Sequence, residues 1–201
     1  MHGSNSEDGR IGEWMHVNSG GRFFPLDPRP EEVNIDDIAN GLALTCRYGG
    51  HGDVEKFYSV AEHCYLLAEA AKNEGYPSHV QLACLLHDAA EAYTGDMIRA
   101  MKHSIGKPFG DIEDTIQNVI FEKYKVAETF RTHGDYIKSL DTRITVNEKH
   151  RLMLNPQPWA TDDLRPIEGI TLLCYKPSPM KYLYLKAFHR LIRDMHLENE
   201  R

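Results

Sequence analysis

The sequence predicts an all-α fold preceded by a small β-hairpin. Apolar residues recur at helical spacing through most of the chain from residue 34 onward, whereas strand-like patterning is confined to a short stretch before it. With 201 residues, 41% of them hydrophobic, the chain can bury the core of one domain. We expect that domain over residues 13–201. Residues 1–12 are polar and rich in Gly and Ser, which predicts a disordered arm or a tag remnant.

The hairpin is predicted over residues 14–24. Residues 14–17 and 22–24 have strand character, and Asn-Ser-Gly-Gly at 18–21 provides the turn. Prolines at positions 25, 28 and 30 end the pattern. Breaks in the helical region are expected at 49–53, 75–77 and 105–109, and in a Pro-rich loop at 155–159.

Two helices follow from their starting signals. Ser59 with Glu62 forms a capping box, so His63 lies about one turn inside an amphipathic helix. Ser78 with Gln81 is a second such pair, and it predicts a largely apolar helix that runs to residue 93.

The second helix carries the adjacent pair His87 and Asp88 in its later turns. Burial of ionisable groups is costly unless they are paired or bound to a metal, and the neighbouring residues are Leu and Ala. Metal ligation would supply the missing partner.

A third helix is predicted over residues 135–153. Its apolar stripe includes Ile137, Leu140 and Ile144, and Asp141 borders that stripe. Asp141 can therefore face inward. The aromatic, amphipathic segment 180–192 predicts a final helix that packs on the core.

The leading hypothesis is metal-dependent hydrolysis, from the order His63, His87-Asp88, Asp141. A His-Asp dipeptide alone is weak evidence among 11 His and 30 acidic residues, so the weight lies on the helical context of all four. Imidazole and carboxylate together suit Mn²⁺, Fe²⁺, Co²⁺ or Zn²⁺, and four protein ligands on an octahedral ion leave positions open for water and substrate.

These residues resemble the HD superfamily of metal-dependent phosphohydrolases, whose ligands occur in the same order. Segment 87–96, His-Asp-Ala-Ala-Glu-Ala-Tyr-Thr-Gly-Asp, is similar to bacterial YfbR-like 5′-deoxynucleotidases and phage DatZ-like dATP triphosphohydrolases. Segment 35–63 is similar to small bacterial and phage relatives in that group, and the resemblance extends over residues 14–192. It implies an HD-domain helical bundle with one divalent ion on the four ligands, Mg²⁺ being an alternative with a triphosphate substrate. It also implies a homo-oligomer, either a dimer or a hexamer.

The resemblance also implies roles near the ligands. Glu91 matches the family's catalytic acid, one helical turn beyond His87 and within reach of water activated by the ion. Asp96 matches a position that contacts substrate or attacks directly, although it could instead cap the next helix. Arg47 matches an arginine that holds the substrate phosphate, a task suited to a planar guanidinium.

Three further substrate-binding candidates are weaker. Lys102 corresponds to a family lysine, but the Pro-rich run that carries it there is replaced here by Gly-Asp-Met-Ile-Arg-Ala-Met-Lys. His51 lies in a Gly-rich loop near Arg47, where it either touches substrate or lies on the surface, and Tyr48 is an aromatic candidate at the entrance.

We therefore predict hydrolysis of the 5′-phosphoester of a nucleotide, with a deoxynucleoside monophosphate favoured over a triphosphate. A cyclic phosphodiester or alarmone substrate is disfavoured by Glu91 and by Thr-Gly-Asp at 94–96. A metal-containing nucleotide sensor without turnover is the alternative from another class. Base and sugar preference, the native ion and the role of residues 155–165, as a pocket wall or an oligomer contact, stay open.

Composition excludes other classes of function. A net charge of −7 argues against a partner that is a nucleic-acid polymer, which would need a basic surface. The sequence has no apolar run of 18 residues and no signal-peptide pattern, so we expect no membrane partner and a cytoplasmic location, in the host cytoplasm if phage-encoded. The four cysteines include no C-x-x-C pair and are expected to be reduced core thiols.

Overall fold

The computed structural model describes residues 9–199, in which eight α-helices follow a two-stranded antiparallel hairpin. The predicted all-α class with a small hairpin is therefore confirmed. The strands are β1 (Met15–His16) and β2 (Arg22–Phe23), and the helices are α1 (Ile35–Leu44), α2 (Val60–Asn73), α3 (Ser78–Leu86), α4 (Glu91–Thr94), α5 (Arg99–Ile105), α6 (Lys107–Lys123), α7 (Ala127–Leu152) and α8 (Pro177–Asn199). Short 3-10 helices cover Pro30–Glu32 and Arg47–Gly50.

The hairpin docks on the helices through one ring. Met15 pairs with Phe23 and His16 with Arg22, as the predicted turn requires. Phe23 is completely buried and stacks on Tyr93 of α4, with 3.8 Å between ring centroids. The hairpin thus packs beside the helix that begins with Glu91.

Arg10 corrects the expectation of an arm over residues 1–12. Residues 1–8 lie outside the described part of the chain, but Arg10 is only 6% exposed. Its Nε lies 2.6 Å from Asp27 Oδ2 and its Nη1 lies 2.5 Å from Glu32 Oε1. Two carboxylates compensate for the burial of the guanidinium. The folded domain therefore includes Arg10 and does not begin at residue 13.

The core is built around α2 and α3, which pack against each other. Helix α8 packs against α1, α2 and α3, as expected for the C-terminal segment, and α7 packs against α2, α3 and α6. Tyr184 of α8 is completely buried, and its hydroxyl donates to the carbonyl of Leu85 at 2.8 Å. The predicted stripe of α7 is buried, including Ile137, Leu140 and Ile144.

One glycine sets the distance between α1 and α4. A Cβ at Gly41 would lie 2.7 Å from the carbonyl oxygen of Ala92 and 2.9 Å from its Cα. Only a residue without a side chain allows this close approach. Gly41 therefore determines how closely the helix that carries Glu91 sits on α1.

The helix predicted over residues 78–93 is interrupted. Helix α3 ends at Leu86, residues 87–90 form turns, and α4 begins at Glu91. The predicted cap at Ser78 is also wrong, because Pro77 is the N-cap and the Ser78 hydroxyl donates to Glu198 at 2.8 Å.

Glu62 differs from its predicted role as well. Ser59 Oγ accepts the Glu62 N–H at 3.2 Å, so this half of the capping box is confirmed. The buried Glu62 carboxylate instead accepts three backbone N–H groups of residues 173–175 at 2.8 to 2.9 Å. It thereby ties the non-helical segment 153–176, longer than the predicted loop, to α2.

Within residues 9–199, no helix combines the length and the apolar character needed to cross a membrane. The described part of the chain has all four cysteines as free thiols; two of them, Cys64 and Cys84, are buried.

Candidate metal centre

Four predicted ligands converge at one point between the helices. His63 comes from α2, Asp141 from α7, and His87 and Asp88 from the turn after α3. One ligand atom of each lies within 4.8 Å of the others. We call His63, His87, Asp88 and Asp141 the tetrad. The sequence order had predicted this convergence, and the geometry agrees with it.

The distances inside the tetrad are short. His63 Nε2 lies 3.2 Å from His87 Nε2 and 3.4 Å from Asp141 Oδ1. His87 Nε2 lies 3.2 Å from Asp88 Oδ2. The two imidazole nitrogens and two carboxylate oxygens thus face a common centre.

Hydrogen bonds on the opposite side of each ring determine its orientation. The Nδ1–H of His87 donates to the carbonyl of Cys84 at 2.8 Å. The Nδ1–H of His63 donates a hydrogen bond to Glu148 Oε1 at 2.7 Å. With each Nδ1 used as a donor, two neutral rings would bring their Nε2 lone pairs together, so either a proton on one Nε2 or a metal ion must lie between them.

The electrostatics of the tetrad also suit a cation. Burial raises the pKa of Asp88, but the charge and hydrogen bond of His87 together with the charge of His63 outweigh burial and lower that pKa well below its usual range. The pKa of Asp141 is lowered too, since hydrogen bonding to His63 and the charges of both histidines outweigh burial. Burial lowers the pKa of His87, yet the charge of Asp88 raises it well above its usual value. The residues present therefore fit a divalent ion.

Glu148 is a direct contact of the tetrad that the sequence analysis missed. It is completely buried and accepts hydrogen bonds from Tyr58 at 3.0 Å, from His63, and from the hydroxyl of Tyr48. Burial raises its pKa, but Arg47 and His63 outweigh burial and lower it to about 2. Glu148 is seven residues after Asp141 and so on the same helical face, which is the signal that could have found it.

Arg47 lies beside the tetrad. Its backbone N–H donates to Tyr58 O at 3.0 Å, next to an isolated bridge between Cys46 and Ser59 that joins the loop to the start of α2. Its Nη1 lies 3.5 Å from Asp88 Oδ2 and its Nε lies 3.5 Å from Glu148 Oε1, although the buried Nε makes no hydrogen bond within residues 9–199. Two carboxylates thus compensate for the charge of the buried guanidinium, while its Nε–H is left without a hydrogen bond.

Asp96 holds the residue after Arg47. Its Oδ2 accepts the backbone N–H of Tyr48 at 3.0 Å, where Tyr48 has φ +58°, a conformation that is unusual for a residue with a side chain. The alternative in which Asp96 caps the next helix is wrong, because α5 has Ile98 as its N-cap and no side-chain cap.

Glu91 is buried at the start of α4, with 5% exposure. Its Oε1 accepts Lys102 Nζ at 3.3 Å, and its buried Oε2 has no partner within residues 9–199. Burial, followed by the charges of Asp88 and Asp96, raises its pKa to about 9. Glu91 is thus a carboxyl group with one unused oxygen next to a ligand of the tetrad.

The other predicted contacts differ in outcome. Lys102 reaches Glu91 but also donates to Glu113 at 2.8 Å, so two carboxylates hold it. His51 is exposed, and within the described residues no hydrogen bond or ion pair joins its imidazole to the tetrad. The expectation that His51 lies at the site therefore has no support in the geometry.

The loop over residues 155–165 lies against Tyr48. The Trp159 ring centroid is 5.6 Å from that of Tyr48. Asp162 anchors the loop to α7 by accepting Lys149 Nζ at 2.6 Å and the Trp159 N–H at 2.9 Å. Of the two roles left open by the sequence, the geometry favours a wall beside the Arg47 loop.

A cleft of about 190 Å³ lies beside the loop that carries Arg47. Its lining includes Arg47, Tyr48, Phe57 and Leu152. The lining reaches Arg47 but includes no residue of the tetrad and not Glu91, so this cleft is a neighbour of the candidate site and not the site itself.

Comparison with known proteins gives two relatives. An uncharacterized protein of Rhodobacter capsulatus is 40% identical over 200 residues, which cover 90% of this chain and 97% of that protein. This chain belongs to the same family. The uncharacterized protein YfdR of Escherichia coli is 32% identical over 118 residues, covering 59% of this chain and 62% of YfdR. No protein-family model matches the chain.

Proposed function

We propose that this chain is an HD-type metal-dependent phosphohydrolase that cleaves the 5′-phosphoester of nucleotides. The observation that carries the proposal is the tetrad itself, two imidazole nitrogens and two carboxylate oxygens within 4.8 Å of one another. This donor set suits one transition-metal ion, Mn²⁺, Fe²⁺, Co²⁺ or Zn²⁺. When bound, such an ion supplies Lewis acidity at the phosphoryl group and activates water near neutral pH.

The residues around the tetrad support hydrolysis rather than metal storage. Glu91 offers one unused carboxylate oxygen from a buried position, which suits a group that moves a proton to or from the reacting oxygens. Arg47 offers a fixed positive charge between Asp88 and Glu148 and an Nε–H that makes no hydrogen bond, which suits binding of a phosphate.

In the proposed reaction the bond from phosphorus to the 5′ oxygen breaks, and water supplies the new P–O bond. Arg47 holds the phosphoryl oxygens and absorbs charge that develops on them. Glu91, which its raised pKa keeps protonated near neutral pH, gives its proton to the leaving 5′ oxygen and takes one back from the attacking water. Tyr48, held by Asp96 and Glu148, and Trp159 line the approach to Arg47.

The substrate that we favour is a deoxynucleoside monophosphate, which releases phosphate and a deoxynucleoside. A deoxynucleoside triphosphate, releasing triphosphate, is the second candidate. It is favoured by Lys138, whose Nζ lies 2.7 Å from Asp141 Oδ2 on a side chain that is 67% exposed. An exposed cation at the edge of the tetrad, besides pairing with Asp141, suits binding of the distal phosphates of a triphosphate.

A release assay tests the proposal. The purified chain, stripped with EDTA, is incubated with dNMPs, dNTPs and ribonucleotides in turn, each with Mn²⁺, Co²⁺, Mg²⁺ or Zn²⁺, and phosphate and triphosphate are measured. We expect ion-dependent release of one of these products, with loss of activity in Asp88→Ala. Nucleotide binding without release under any ion would favour a sensor, and the absence of both would contradict the proposal.

A further inference from the structure

Gln117 of α6 occupies the interruption between α3 and α4. Its Nε2 donates to the carbonyl of Leu86 at 2.8 Å, and its Oε1 accepts the N–H of Ala90 at 2.8 Å. In an uninterrupted α-helix the Ala90 N–H would itself donate to Leu86 O. The amide of Gln117 is therefore inserted into one backbone hydrogen bond and satisfies both of its ends.

The three residues enclosed by this insertion are His87, Asp88 and Ala89. Backbone bonds across the segment are of the tighter i to i−3 type, from Ala89 N to Leu86 O at 3.1 Å and from Glu91 N to Asp88 O at 3.0 Å. In such turns, side chains three residues apart lie one above the other. Asp88 and Glu91 are so spaced, and both therefore point to one side of the chain.

Helix α6 also contacts the partner of Glu91, through a residue one helical turn before Gln117. Glu113 precedes Gln117 by four residues, so both lie on one face of α6. Glu113 accepts Lys102 Nζ at 2.8 Å, and Lys102 in turn donates to Glu91. One face of α6 thus contacts both the interrupted backbone and the cation that pairs with Glu91.

We propose that Gln117 is a positioning residue, which holds the interrupted turn so that His87 and Asp88 meet the other tetrad ligands and Glu91 stays beside them. This inference rests on the proposed metal-dependent function. The amide has a donor and an acceptor in fixed relation, which is what the two ends of the broken backbone bond require. Methionine, which has a similar length, offers neither.

The test compares Gln117→Met, which keeps the length and removes both hydrogen bonds, with Gln117→Glu, which keeps an acceptor for Ala90. Asn118→Ala is the matched control, since Asn118 is exposed on the same helix. Mn²⁺ affinity of the EDTA-stripped proteins is measured by calorimetry well below their Tm, together with kcat and KM.

We expect Gln117→Met to bind Mn²⁺ about 10 to 100-fold more weakly, with a lower kcat, and Gln117→Glu to lose less. Asn118→Ala should match the wild type. If Gln117→Met does not fold, Gln117→Glu carries the test, with at least a severalfold loss expected.

The outcomes separate the two claims. Unchanged Mn²⁺ affinity and kcat in the folded Gln117 variants, with only a lower Tm, would overturn the positioning role and leave the metal site intact. Wild type that binds Mn²⁺ without hydrolysing any nucleotide would overturn the proposed function, while the order of Mn²⁺ affinities would still decide the role of Gln117. Wild type that binds no Mn²⁺ would overturn both.

Discussion

His63 and His87 direct their Nε2 atoms at each other across 3.2 Å, while each ring uses its Nδ1–H in a hydrogen bond on its other side. Two lone pairs at this distance repel unless a positive charge lies between them. In the metal-free protein a proton is the available charge, and a divalent ion is the better one because Asp88 and Asp141 also face the point.

This relationship predicts that divalent ions stabilise the fold. Mn²⁺ at 100 times its Kd should stabilise the EDTA-stripped protein by about 2.7 kcal/mol, because it binds the folded state alone. For a chain of this size that corresponds to a rise in Tm of roughly 5–10 °C. Differential scanning calorimetry with and without Mn²⁺ measures it.

His79→Ala serves as the control, because His79 is a histidine outside the tetrad and its variant should keep the full rise. The double variant His63→Ala/His87→Ala should lose the rise. A similar rise in the double variant would mean that Mn²⁺ stabilises the protein from another site.

Glu91→Gln should separate metal binding from turnover. The substitution keeps the shape of the side chain and removes its ability to exchange a proton, so we expect turnover to fall about 10²- to 10⁴-fold. Mn²⁺ affinity should stay close to that of the wild type. Glu113→Gln, which alters the other partner of Lys102, should keep most of the turnover. Wild-type rates in Glu91→Gln would show that our assignment of Glu91 is wrong.

Glu148→Gln should weaken the metal site from outside it. The buried carboxylate accepts the Nδ1–H of His63 and thereby holds that ring and increases its basicity. We expect Mn²⁺ affinity to fall about 10 to 100-fold, measured by calorimetry. Tyr58→Phe removes only one donor to Glu148 and should have a smaller effect. An equal loss in both variants would point to general loosening of the site.

Arg47→Lys should impair substrate use while sparing the ion. Lysine keeps the charge but lacks the planar fork that binds two phosphate oxygens at once. We expect kcat/KM to fall about 10 to 100-fold, in line with the loss of one charged hydrogen bond of 1.5 to 3 kcal/mol. Lys56→Ala, at the same cleft, should have little effect on kcat/KM. A loss of Mn²⁺ affinity in Arg47→Lys equal to the loss of kcat/KM would assign Arg47 to the metal site instead.

Most helices and the tetrad could be predicted because their signals are local. The stripe on α7 fixed the face on which Asp141 lies, and Ser59 fixed the start of α2 one turn before His63. The helical period and the cap chemistry act within a few residues, so the sequence carries them directly.

The remainder depends on contacts between residues distant in sequence. Gln117 is hydrogen-bonded to Ala90, which precedes it by 27 residues, and Glu148 is hydrogen-bonded to His63, which precedes it by 85 residues. Arg10 likewise binds Glu32, which is distant in sequence. Because the composition of the N-terminal residues does not reveal this partner, it predicted an arm. Propensity cannot report such partners, because each of these side chains would be equally acceptable on a surface.

The most direct test is to titrate the EDTA-stripped chain with Mn²⁺ while following hydrolysis of the best nucleotide from the release assay in the same sample. We predict that the rate rises linearly to one ion per chain and then stays constant, since one tetrad activates one substrate. Hydrolysis that is undiminished after removal of the ion, or one ion bound per chain without any hydrolysis, would contradict the proposed metal-dependent reaction.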